Sequence, residues 1–337
     1  MKNYNFCTLF DSNFLPYGLT LYESLIEHCP EFHLYIFAFD DKSYDFLNEK
    51  KLSNTTIISL KEFEDEELLK VKPYRTKGEY CWTCASSAIL YVLDKYKVDM
   101  CTYLDSDIFF FSDPSVLIEE MGDKSVLITE HRYSEKHNLE EQAGKYCVQF
   151  ISFKNNSDGK KVLNWWRHKC VEWCFARLEA GKFGDQKYLD DWTVRFKGIV
   201  HELQHLGGGV APWNIEQYKI FKKNDKFYLL DKKANESCPV VFFHYHNVKF
   251  NASRKIVIQF ISLYYRITFS VYFSLYKEYF KKMATVIYNF RLTNFNFNKY
   301  SYLKIYLFIL LCRLNSLFKR AVDKFKREIL CKNGKTI

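Results

Sequence analysis

Short apolar runs alternate with amphipathic segments along the first 250 residues of the chain. Runs rich in β-branched and aromatic residues, bounded by polar ones, predict strands at YNFCTLF (residues 4–10), HLYIFAF (33–39) and NTTIISL (54–60). Apolar residues at helical spacing predict helices at YGLTLYESLIEH (17–28) and at EYCWTCASSAILYVLDKY (79–96), where Trp82, Ala85, Ile89, Leu90 and Leu93 recur on one face. A fourth strand should end within CTYLDSD. Strands and helices in alternation are typical of an α/β fold.

The pattern continues to about residue 250 and then changes. Further strands are predicted at KSVLITE (124–130), YCVQFISF (146–153), FYLL (227–230) and PVVFFHYH (239–246), and helices at 159–180 and 185–196. From Asn251 onward, Phe, Tyr, Ile and Leu are mixed with cations, so 254–292 and 302–330 are predicted to be amphipathic helices. We therefore predict an α/β domain at residues 1–250 and a basic, aromatic helical tail at 251–337.

The net charge divides at the same place. The whole chain carries a formal charge of +9, and the tail carries 17 Lys and Arg against Glu278, Asp323 and Glu328, which makes the tail +14 and leaves −5 for residues 1–250. Basic helices with an apolar face lie on anionic membrane surfaces. Basic and aromatic residues also bind single-stranded nucleic acid, but the tail has no recognised nucleic-acid motif. We expect the tail to contact a membrane surface, with self-association or packing on the rest of the chain as the alternative, and we expect no nucleic-acid partner.

The N-terminus and the cysteines indicate the compartment. The start, MKNYNFCTLF, has no apolar stretch long enough for a signal peptide, and no run of about 20 apolar residues predicts a spanning helix. Eleven cysteines, an odd count at irregular spacings, favour free thiols over a disulfide framework. Cys81, Cys84, Cys170 and Cys174 lie in predicted helices without the turns of a zinc ribbon, so we expect no zinc site there. The predicted location is cytoplasmic, peripheral on the inner face of the membrane.

The stretch YLDSDIFFFSDP (103–114) places Asp105 and Asp107 one residue apart where the fourth strand should end. In α/β sheets, ligands bind outside the carboxyl ends of the strands. Two carboxylates that point to the same side can share Mg²⁺ or Mn²⁺, and such an ion would neutralise a diphosphate leaving group. A solvated acidic turn or a helix N-cap is the alternative. A phosphatase that uses the first Asp as its nucleophile would place the pair after the first strand instead.

With this stretch, the chain resembles the GT-A type glycosyltransferases that use nucleotide sugars, in particular family eight and its bacterial lipopolysaccharide and lipooligosaccharide hexosyltransferases. The resemblance spans residues 4–250 in four motifs. FDSNFLPYGLTLYESL is similar to the opening segment, in which Asp11, Asn13 and Phe14 would surround the nucleotide base. YLDSDIFFFSDP is similar to the strand with its D-x-D pair, so Asp105 would contact the donor as well as the metal.

The third and fourth motifs lie nearer the C-terminus. FGDQKYLDDW resembles the segment whose carboxylate and amide lie beside the transferred sugar, which makes Asp185 and Gln186 the candidate catalytic pair. A helix N-cap at Asp185 is the alternative. FFHYHNVKF resembles the closing motif in which a histidine completes the metal site and a lysine meets the diphosphate, and His244 and Lys249 fit its spacing. His246 is the rival ligand, because H-Y-H on a strand puts both rings on one face.

The resemblance implies a GT-A fold, which is a Rossmann-like α/β domain with a mixed central sheet, here followed by the helical extension. It also implies that a hexose passes from a UDP-sugar, with retention, to a lipopolysaccharide, capsule or related surface glycan or glycolipid. An imidazole beside two carboxylates favours Mn²⁺ over Mg²⁺. The retaining chemistry needs no strong nucleophile, because Asp185 and Gln186 would position the sugar and the acceptor by preorganised hydrogen bonds.

Two departures mark the chain as a divergent member. In the family, the helix before D-x-D carries a cation that binds the donor. YCWTCASSAILYVL has no cation, and Lys77, just upstream, is the candidate substitute. The family's N-x-G strand is replaced by YCVQFISF, which leaves Gln149 as a candidate on the acceptor side.

Two other functions stay open. A sugar nucleotidyltransferase uses the same kind of sheet and an acidic metal site, but it needs a glycine-rich basic loop after the first strand, and FDSNFLPYG has none. The other alternative is a non-catalytic, membrane-associated assembly protein with a degenerate transferase fold. Such a protein would tolerate mutation of Asp105.

Overall fold

The structure is a computed structural model of the chain. It describes residues 3–252, 256–260, 265 and 267–292, and for residues 249–252, 256–260, 269, 272 and 273 it describes the backbone alone. The chain divides into two compact units. The first unit comprises residues 1–247 and 262–295, and the second comprises residues 248–261 and 296–337.

The helices and strands follow each other along the chain in mixed order. The strands are β1 (Tyr4–Phe10), β2 (Phe32–Ala38), β3 (Thr55–Ser59), β4 (Met100–Leu104), β5 (Ile108–Phe110), β6 (Val126–Glu130), β7 (Tyr146–Lys154), β8 (Val200–Glu202), β9 (Tyr218–Lys223), β10 (Lys226–Asp231), β11 (Ser237–Pro239), β12 (Phe242–His244), β13 (Val248–Ala252) and β14 (Ile256–Phe260). The helices are α1 (Leu15–His28), α2 (Asp41–Lys50), α3 (Leu60–Phe63), α4 (Glu66–Val71), α5 (Lys77–Lys95), α6 (Ser115–Glu119), α7 (Glu140–Ala143), α8 (Ser157–Glu172), α9 (Trp192–Arg195), α10 (Phe269–Val271) and α11 (Lys277–Asn289), with a π-helical turn at Tyr272–Tyr276.

A seven-stranded mixed sheet in the order β3-β2-β1-β4-β7-β6-β8 forms the centre of the first unit. β1, β2, β3 and β4 run parallel, whereas β7 is antiparallel to both β4 and β6. The strand order reverses between β1 and β4, because β2 pairs with one edge of β1 and β4 with the other. A reversal of this kind opens a crevice outside the carboxyl ends of the strands, where α/β proteins bind ligands. The predicted mixed α/β fold is confirmed.

Packing on the sheet explains the long apolar runs. All of β7 except its last residue is buried, as expected for a strand covered on both faces. The helix α5 begins at a capping box, in which Thr76 and Glu79 satisfy each other's backbone N–H groups. It packs beside α8 and contacts β1 and β4, and Ala85 and Ala88 are fully enclosed in the core. The chain runs along α5 and then returns through β4, which is parallel to β1. The start of α5 therefore lies at the edge of the sheet where these parallel strands end.

Two helical predictions differ from the structure, and the helix α2 was not predicted. The helix predicted at 159–180 ends at Glu172, and in 185–196 a 3₁₀ turn at Gln186–Leu189 is followed by the short helix α9. Ala180, Gly181 and Gly184 have positive φ, which interrupts a helix. The apolar spacing continued past the helix because Trp173 is buried without being helical. The pattern did not reveal α2, since only two of its residues are buried.

Part of the predicted tail belongs to the first unit, which includes residues 262–295. Helix occurs there as predicted, at 269–289. The prediction is wrong for Ile256–Phe260, which forms the strand β14 and pairs antiparallel with β13 in the second unit. Three consecutive β-branched residues in IVIQF favour the strand. The helix predicted at 302–330 lies outside the described residues.

The apolar face of α11 is buried within the first unit. Tyr279 and Met283 are fully buried, and α11 packs on α1, where Lys282 Nζ lies 2.7 Å from Glu27 Oε2. Tyr279 stacks on Tyr245, with the ring centroids 3.7 Å apart. This face therefore packs on protein, and membrane contact by the remainder of the tail stays a prediction. Among the described residues, no helix has both the length and the apolar character to cross a membrane.

We expect a truncation after residue 250 to unfold the first unit, because it removes α11 and exposes the partners of Tyr279. A fully buried large apolar side chain contributes about 1.5–3 kcal/mol to the free energy of unfolding. Because α11 carries several buried side chains, the free energy lost with this helix is comparable to a typical net stability of about 5–15 kcal/mol. Urea unfolding followed by circular dichroism measures the effect, with a chain that ends at residue 295 as the control. Tyr279→Ala in the full chain should cost about 3–5 kcal/mol. An unchanged midpoint for the shorter chain would contradict the assignment of α11 to this unit.

Candidate active site

The D-x-D pair lies at the switch point of the sheet. β4 ends at Leu104, and the backbone N–H of Asp105 donates to the Gln149 carbonyl at 3.0 Å. A tight turn follows, in which Ile108 N donates to the Asp105 carbonyl at 3.3 Å, and β5 begins there. β1, the parallel neighbour of β4, ends at Phe10. Asp11 and Asp105 therefore follow adjacent strands at the same edge.

His244 is brought to this turn by β12. The strand pairs antiparallel with β5, and His244 lies opposite Ile108. The backbone N–H of Tyr245 donates to the Asp107 carbonyl at 2.9 Å, and that of His244 donates to the Val210 carbonyl at 2.9 Å. The apolar run VVFF before His244 is buried, which fixes the strand in the core. The position of the imidazole is thus set by backbone pairing rather than by a flexible loop.

Asp105, Asp107 and His244 form one cluster. His244 Nε2 lies 3.0 Å from Asp107 Oδ1 and 3.8 Å from Asp105 Oδ2. One ligand atom from each residue lies within 4.8 Å of the other two. Two carboxylate oxygens and one imidazole nitrogen suit Mn²⁺ or Mg²⁺, so the donor set fits the divalent cation that the D-x-D motif predicts.

The cluster includes His244 and not the rival ligand His246, whose side chain is exposed beside Trp213. Within the part of the chain that the structure describes, no second group of acidic, histidine or cysteine side chains has metal-binding spacing. The described cysteines are free thiols, as predicted.

The histidine balances the charge of the cluster. Burial disfavours the imidazolium, but the charge and hydrogen bond of Asp107 outweigh it, so the pKa of His244 is raised well above its usual value. Burial also opposes ionisation of Asp107, yet the charge and hydrogen bond of His244 lower the pKa of that carboxyl. Burial raises the pKa of Asp105 to about 6, against the opposing charge of His244. A bound divalent cation would supply the positive charge that the proton on His244 supplies here.

Gln149 connects the two halves of the cluster. Its carbonyl accepts from Asp105 N, and its side-chain oxygen lies 2.7 Å from His244 Nδ1. The residue is fully buried, and its amide Nε2 has no hydrogen-bond partner among the residues that the structure describes. Gly209, at a φ of +83°, packs against this amide, and a Cβ there would lie 3.3 Å from Nε2. In the neutral form that binds a metal, Nδ1 of His244 would donate to Gln149, which would leave the lone pair on Nε2, the nitrogen that faces the two carboxylates.

We expect Gln149→Leu to weaken Mn²⁺ binding about 10- to 100-fold, because the partner that orients a ligating histidine typically contributes that much. Gln149→Glu keeps an acceptor for Nδ1 and should retain the affinity. Free Mn²⁺, measured by its electron paramagnetic resonance signal during titration, gives the dissociation constants. Equal affinity in the wild type and in Gln149→Leu would contradict an orienting contact.

Asp185 and Gln186 lie at the start of the 3₁₀ turn, close to the sheet edge. Asp185 is 5% exposed and occupies the N-cap position of this turn, as the N-cap alternative predicts, but its side chain makes no capping hydrogen bond. Trp166 Nε1 donates to the Asp185 carbonyl at 2.9 Å, and Gln186 Nε2 donates to the Ala143 carbonyl at 2.7 Å. Burial, and next the charge of Asp105, raise the pKa of Asp185 to about 8. The charge of Asp105 in the metal cluster thus influences the pKa of the Asp185 carboxyl group.

The raised pKa of Asp185 predicts a stability cost in the metal-free protein. Between pH 3.8 and about 8 the folded state holds the proton more tightly than the unfolded chain, so stability falls as the pH rises through this window. Asp185→Asn removes the charge, and we expect it to stabilise the metal-free protein at pH 8 by several kcal/mol, because a pKa change of one corresponds to about 1.4 kcal/mol, with little effect near pH 4. Urea unfolding in chelator at several pH values checks this. A variant less stable than the wild type at pH 8 would contradict the burial argument.

The predicted base-binding residues form the turn between β1 and α1. Asp11 Oδ1 accepts from Asn13 N at 2.9 Å, and Asp11 Oδ2 accepts from Asn13 Nδ2 at 3.0 Å. Phe14 is 46% exposed, so its ring offers a free face next to the carboxyl end of β1. The three residues therefore occupy one side of the switch-point crevice, and the metal cluster follows the adjacent strand.

Lys77, the proposed substitute for the family cation, is the exposed first residue of α5. Burial, together with the charges of Asp11 and Asp105, raises the pKa of the Cys81 thiol to about 12, and Lys77 opposes the shift. Asp11, Asp105 and Lys77 therefore all act on one thiol at the start of α5. Lys249 lies in β13 of the second unit, and its side chain is outside the described part of the structure.

Sequence reasoning missed two features of the site. It placed Trp82 on one face with Ala85, Ile89 and Leu93, which are buried, whereas Trp82 is 37% exposed. It also gave Gln149 no contact with His244. A polar residue inside the apolar run YCVQFISF was a signal that a buried partner exists, because buried amides are almost always hydrogen-bonded.

The fold and the site together define the class of protein. The structure resembles that of the galactosyltransferase LgtC, solved in complex with donor and acceptor sugar analogues, with a TM-score of 0.51 and 13% sequence identity over 83% of this chain and 95% of that chain. An active-site variant of LgtC gives a TM-score of 0.50 with the same coverage and 12% identity. The chain therefore has the GT-A glycosyltransferase fold, as predicted. No family model matches its sequence.

Within this class, the chain belongs to the family of the uncharacterized protein YfnD of Bacillus subtilis (strain 168). The two are 32% identical over 249 residues, which cover 73% of this chain and 78% of YfnD. A second protein of that strain, the uncharacterized protein YfnF, is 29% identical over 248 residues, which cover 71% of this chain and 80% of YfnF.

Proposed function

We propose that the chain is a glycosyltransferase that moves a hexose from a nucleotide-diphosphate sugar, preferably a UDP-sugar, to a glycan or glycolipid acceptor. The transfer would need a divalent cation and would retain the anomeric configuration. The observation that carries the proposal is the cluster of Asp105, Asp107 and His244 at the switch point of a GT-A fold. LgtC, which shares the fold, is a galactosyltransferase solved with donor and acceptor sugar analogues.

The crevice offers separate partners for each part of the donor. The turn of Asp11, Asn13 and Phe14 would hold the nucleotide base, with the exposed ring of Phe14 as a stacking surface. Lys77 would contribute positive charge near the diphosphate. The family motif suggests the same role for Lys249.

The metal cluster and its support would fix the diphosphate. Asp105, Asp107 and His244 would hold Mn²⁺ or Mg²⁺, and the ion would act as a Lewis acid that neutralises the leaving diphosphate. Gln149 would keep Nδ1 of His244 engaged, so that Nε2 points at the carboxylates. A burial-fixed ligand set needs little rearrangement when substrate binds, which is the basis of electrostatic preorganisation.

Asp185 and Gln186 would act on the sugar and the acceptor. The Asp185 carboxyl is buried near the charge of Asp105, and Trp166 holds its backbone in place. Gln186 is tied by its amide N–H to the Ala143 carbonyl. Both side chains would position hydroxyl groups by hydrogen bonds, and no strong nucleophile would be needed.

Release of UDP from UDP-sugars tests the proposal. The purified full chain is incubated with UDP-glucose, UDP-galactose or UDP-N-acetylglucosamine and Mn²⁺, without an acceptor, and the free UDP is quantified by chromatography. Slow, cation-dependent release from at least one donor is expected, because water can replace a missing acceptor, and chelator should stop it. Absence of release from all three donors with either Mn²⁺ or Mg²⁺ would contradict the proposal.

A second incubation, with UTP and a sugar 1-phosphate in place of the UDP-sugar, separates the alternative enzyme. A sugar nucleotidyltransferase would release pyrophosphate from UTP and a sugar 1-phosphate, so pyrophosphate formation without UDP release would favour it. The loop after β1, FDSNFLPYG, contains one glycine and no basic residue, which disfavours binding of a triphosphate. The assembly-protein alternative predicts neither product.

A further inference from the structure

An exposed tryptophan borders the candidate active site. Trp82 is 37% exposed, whereas Trp166, Trp173, Trp192 and Trp213 are buried. An indole left in water forgoes a large hydrophobic gain, and exposed aromatic surface beside polar groups is typical of binding sites. Neither the base, the metal nor the catalytic pair accounts for this residue.

Trp82 lies at the sheet edge that carries the site. It occurs in the second turn of α5, directly after Cys81, whose thiol is influenced by Asp11 and Asp105. Its ring packs against Gly184, where a Cβ would lie 3.5 Å from the indole. Gly184 directly precedes Asp185, so the indole adjoins the segment that carries the candidate catalytic pair.

Phe183 adds a second ring next to the first. The ring centroids of Trp82 and Phe183 are 6.5 Å apart, with planes inclined at 38°. We call these two residues the aromatic platform. The loop that carries Phe183 is tied to α5, because Ala176 N donates to Glu79 Oε1 at 2.8 Å, and Gly184 N donates to the Phe175 carbonyl at 3.0 Å. The platform is therefore held in place before any ligand arrives, which lowers the entropy cost of binding.

We propose that the aromatic platform binds a pyranose ring of the acceptor glycan, with Trp82 stacked on the apolar face of the sugar. A pyranose has a face of C–H groups and an edge of hydroxyls. The platform offers an aromatic face for the first, and the carboxyl of Asp185, one residue after Gly184, offers a hydrogen-bond partner for the second. The inference deepens the proposed function and rests on it.

The acceptor is the part of the reaction that still lacks an aromatic partner. The base has a candidate ring at Phe14, after β1, and the diphosphate has the cluster after β4. The aromatic platform adjoins Asp185, which must face both the transferred sugar and the attacking hydroxyl. An acceptor sugar stacked on Trp82 would therefore lie next to the residue that has to orient its hydroxyl.

Saturation-transfer NMR with simple glycosides tests the platform. The full chain with UDP and Mg²⁺, which is diamagnetic, is titrated with lactose, methyl β-D-glucopyranoside and methyl β-D-galactopyranoside. We expect at least one to bind and Trp82→Ala to weaken it about 10-fold, since 1.4 kcal/mol of lost stacking corresponds to that factor. Trp82→Phe keeps an aromatic face and should lose less than about half of that free energy. Tyr288→Ala, which removes a ring that is 81% exposed on α11, is the matched control.

The outcomes separate this inference from the proposed function. Calorimetry of UDP with each variant shows whether the donor site is intact. Glycoside affinity that is equal in the wild type and in Trp82→Ala would overturn the inference, as would no binding of any of the three glycosides to a wild type that binds UDP. Loss of UDP affinity in Trp82→Ala would also overturn it, because the ring would then serve the donor. A wild type that binds no UDP contradicts the proposed function itself.

Discussion

Asp105→Asn is expected to lower the affinity for Mn²⁺ by more than about 100-fold, since changes to residues that merely orient a metal ligand cost about 10- to 100-fold. Asp105 Oδ2 lies 3.8 Å from His244 Nε2, and Asp105 directly follows β4 at the switch point of the sheet. An amide at this position offers a neutral oxygen where the cation needs a charged one. Asp107→Asn should act in the same direction. Electron paramagnetic resonance of free Mn²⁺ gives the dissociation constants.

Asp123→Asn is the matched control for this experiment. Asp123 is exposed in a turn, and its Oδ2 lies 3.2 Å from Nζ of its neighbour Lys124, so the same change of charge occurs away from the crevice. It should leave the Mn²⁺ affinity unchanged. If Asp105→Asn and Asp123→Asn bound Mn²⁺ as well as the wild type does, the cluster would not be a metal site, and the acidic turn would be a structural feature of β4.

Asp185→Asn is expected to reduce the rate of UDP release or sugar transfer about 100- to 1,000-fold, the usual cost of removing one preorganised polar group from an active site. The substitution keeps the shape of the side chain, and Trp166 bonds to the backbone carbonyl, which the substitution leaves in place. UDP affinity with Mn²⁺ should stay within about 3-fold, because the metal ligands are intact. The kinetic constant that falls should therefore be kcat.

Asp191→Asn supplies the control for the catalytic pair. Asp191 lies six residues further along the same segment and pairs with Arg195 at the surface, at 2.6 Å. A surface ion pair of this kind contributes about 0–1 kcal/mol, so rate and stability should hardly change. A rate for Asp185→Asn within a few-fold of the wild-type rate would show that this carboxyl takes no part in transfer.

The strands and the place of the D-x-D pair could be predicted because they depend on local sequence. Strands buried on both faces are continuous apolar runs, so β1, β4 and β7 stand out in any window of the chain. The pair then follows at the end of the strand. The same logic fails for α2, which buries only Ser43 and Leu47, and for the segment after Glu172, where buried residues continue in a loop.

The contacts that hold the site together could not be predicted, because they join residues far apart in the chain. Gln149 and His244 are 95 residues apart, and their hydrogen bond exists only once β7 and β12 are in place. Trp82 fits a helical stripe in sequence, but the stripe runs past the edge of the sheet, where Phe183 and Gly184 cover its first member only in part. The packing of α11 on α1 depends on the fold in the same way, since an amphipathic helix can bury its apolar face against protein or lipid.

The most direct test of the central claim is calorimetric titration of the full chain with UDP in Mn²⁺ and in chelator. A donor site built on Asp105, Asp107 and His244 predicts saturable UDP binding with Mn²⁺, strongly weakened by chelator and by Asp105→Asn. ATP and GTP should bind more weakly than UDP. No UDP binding with any divalent cation, or equal binding with chelator, would contradict the assignment of this crevice to a nucleotide-sugar donor.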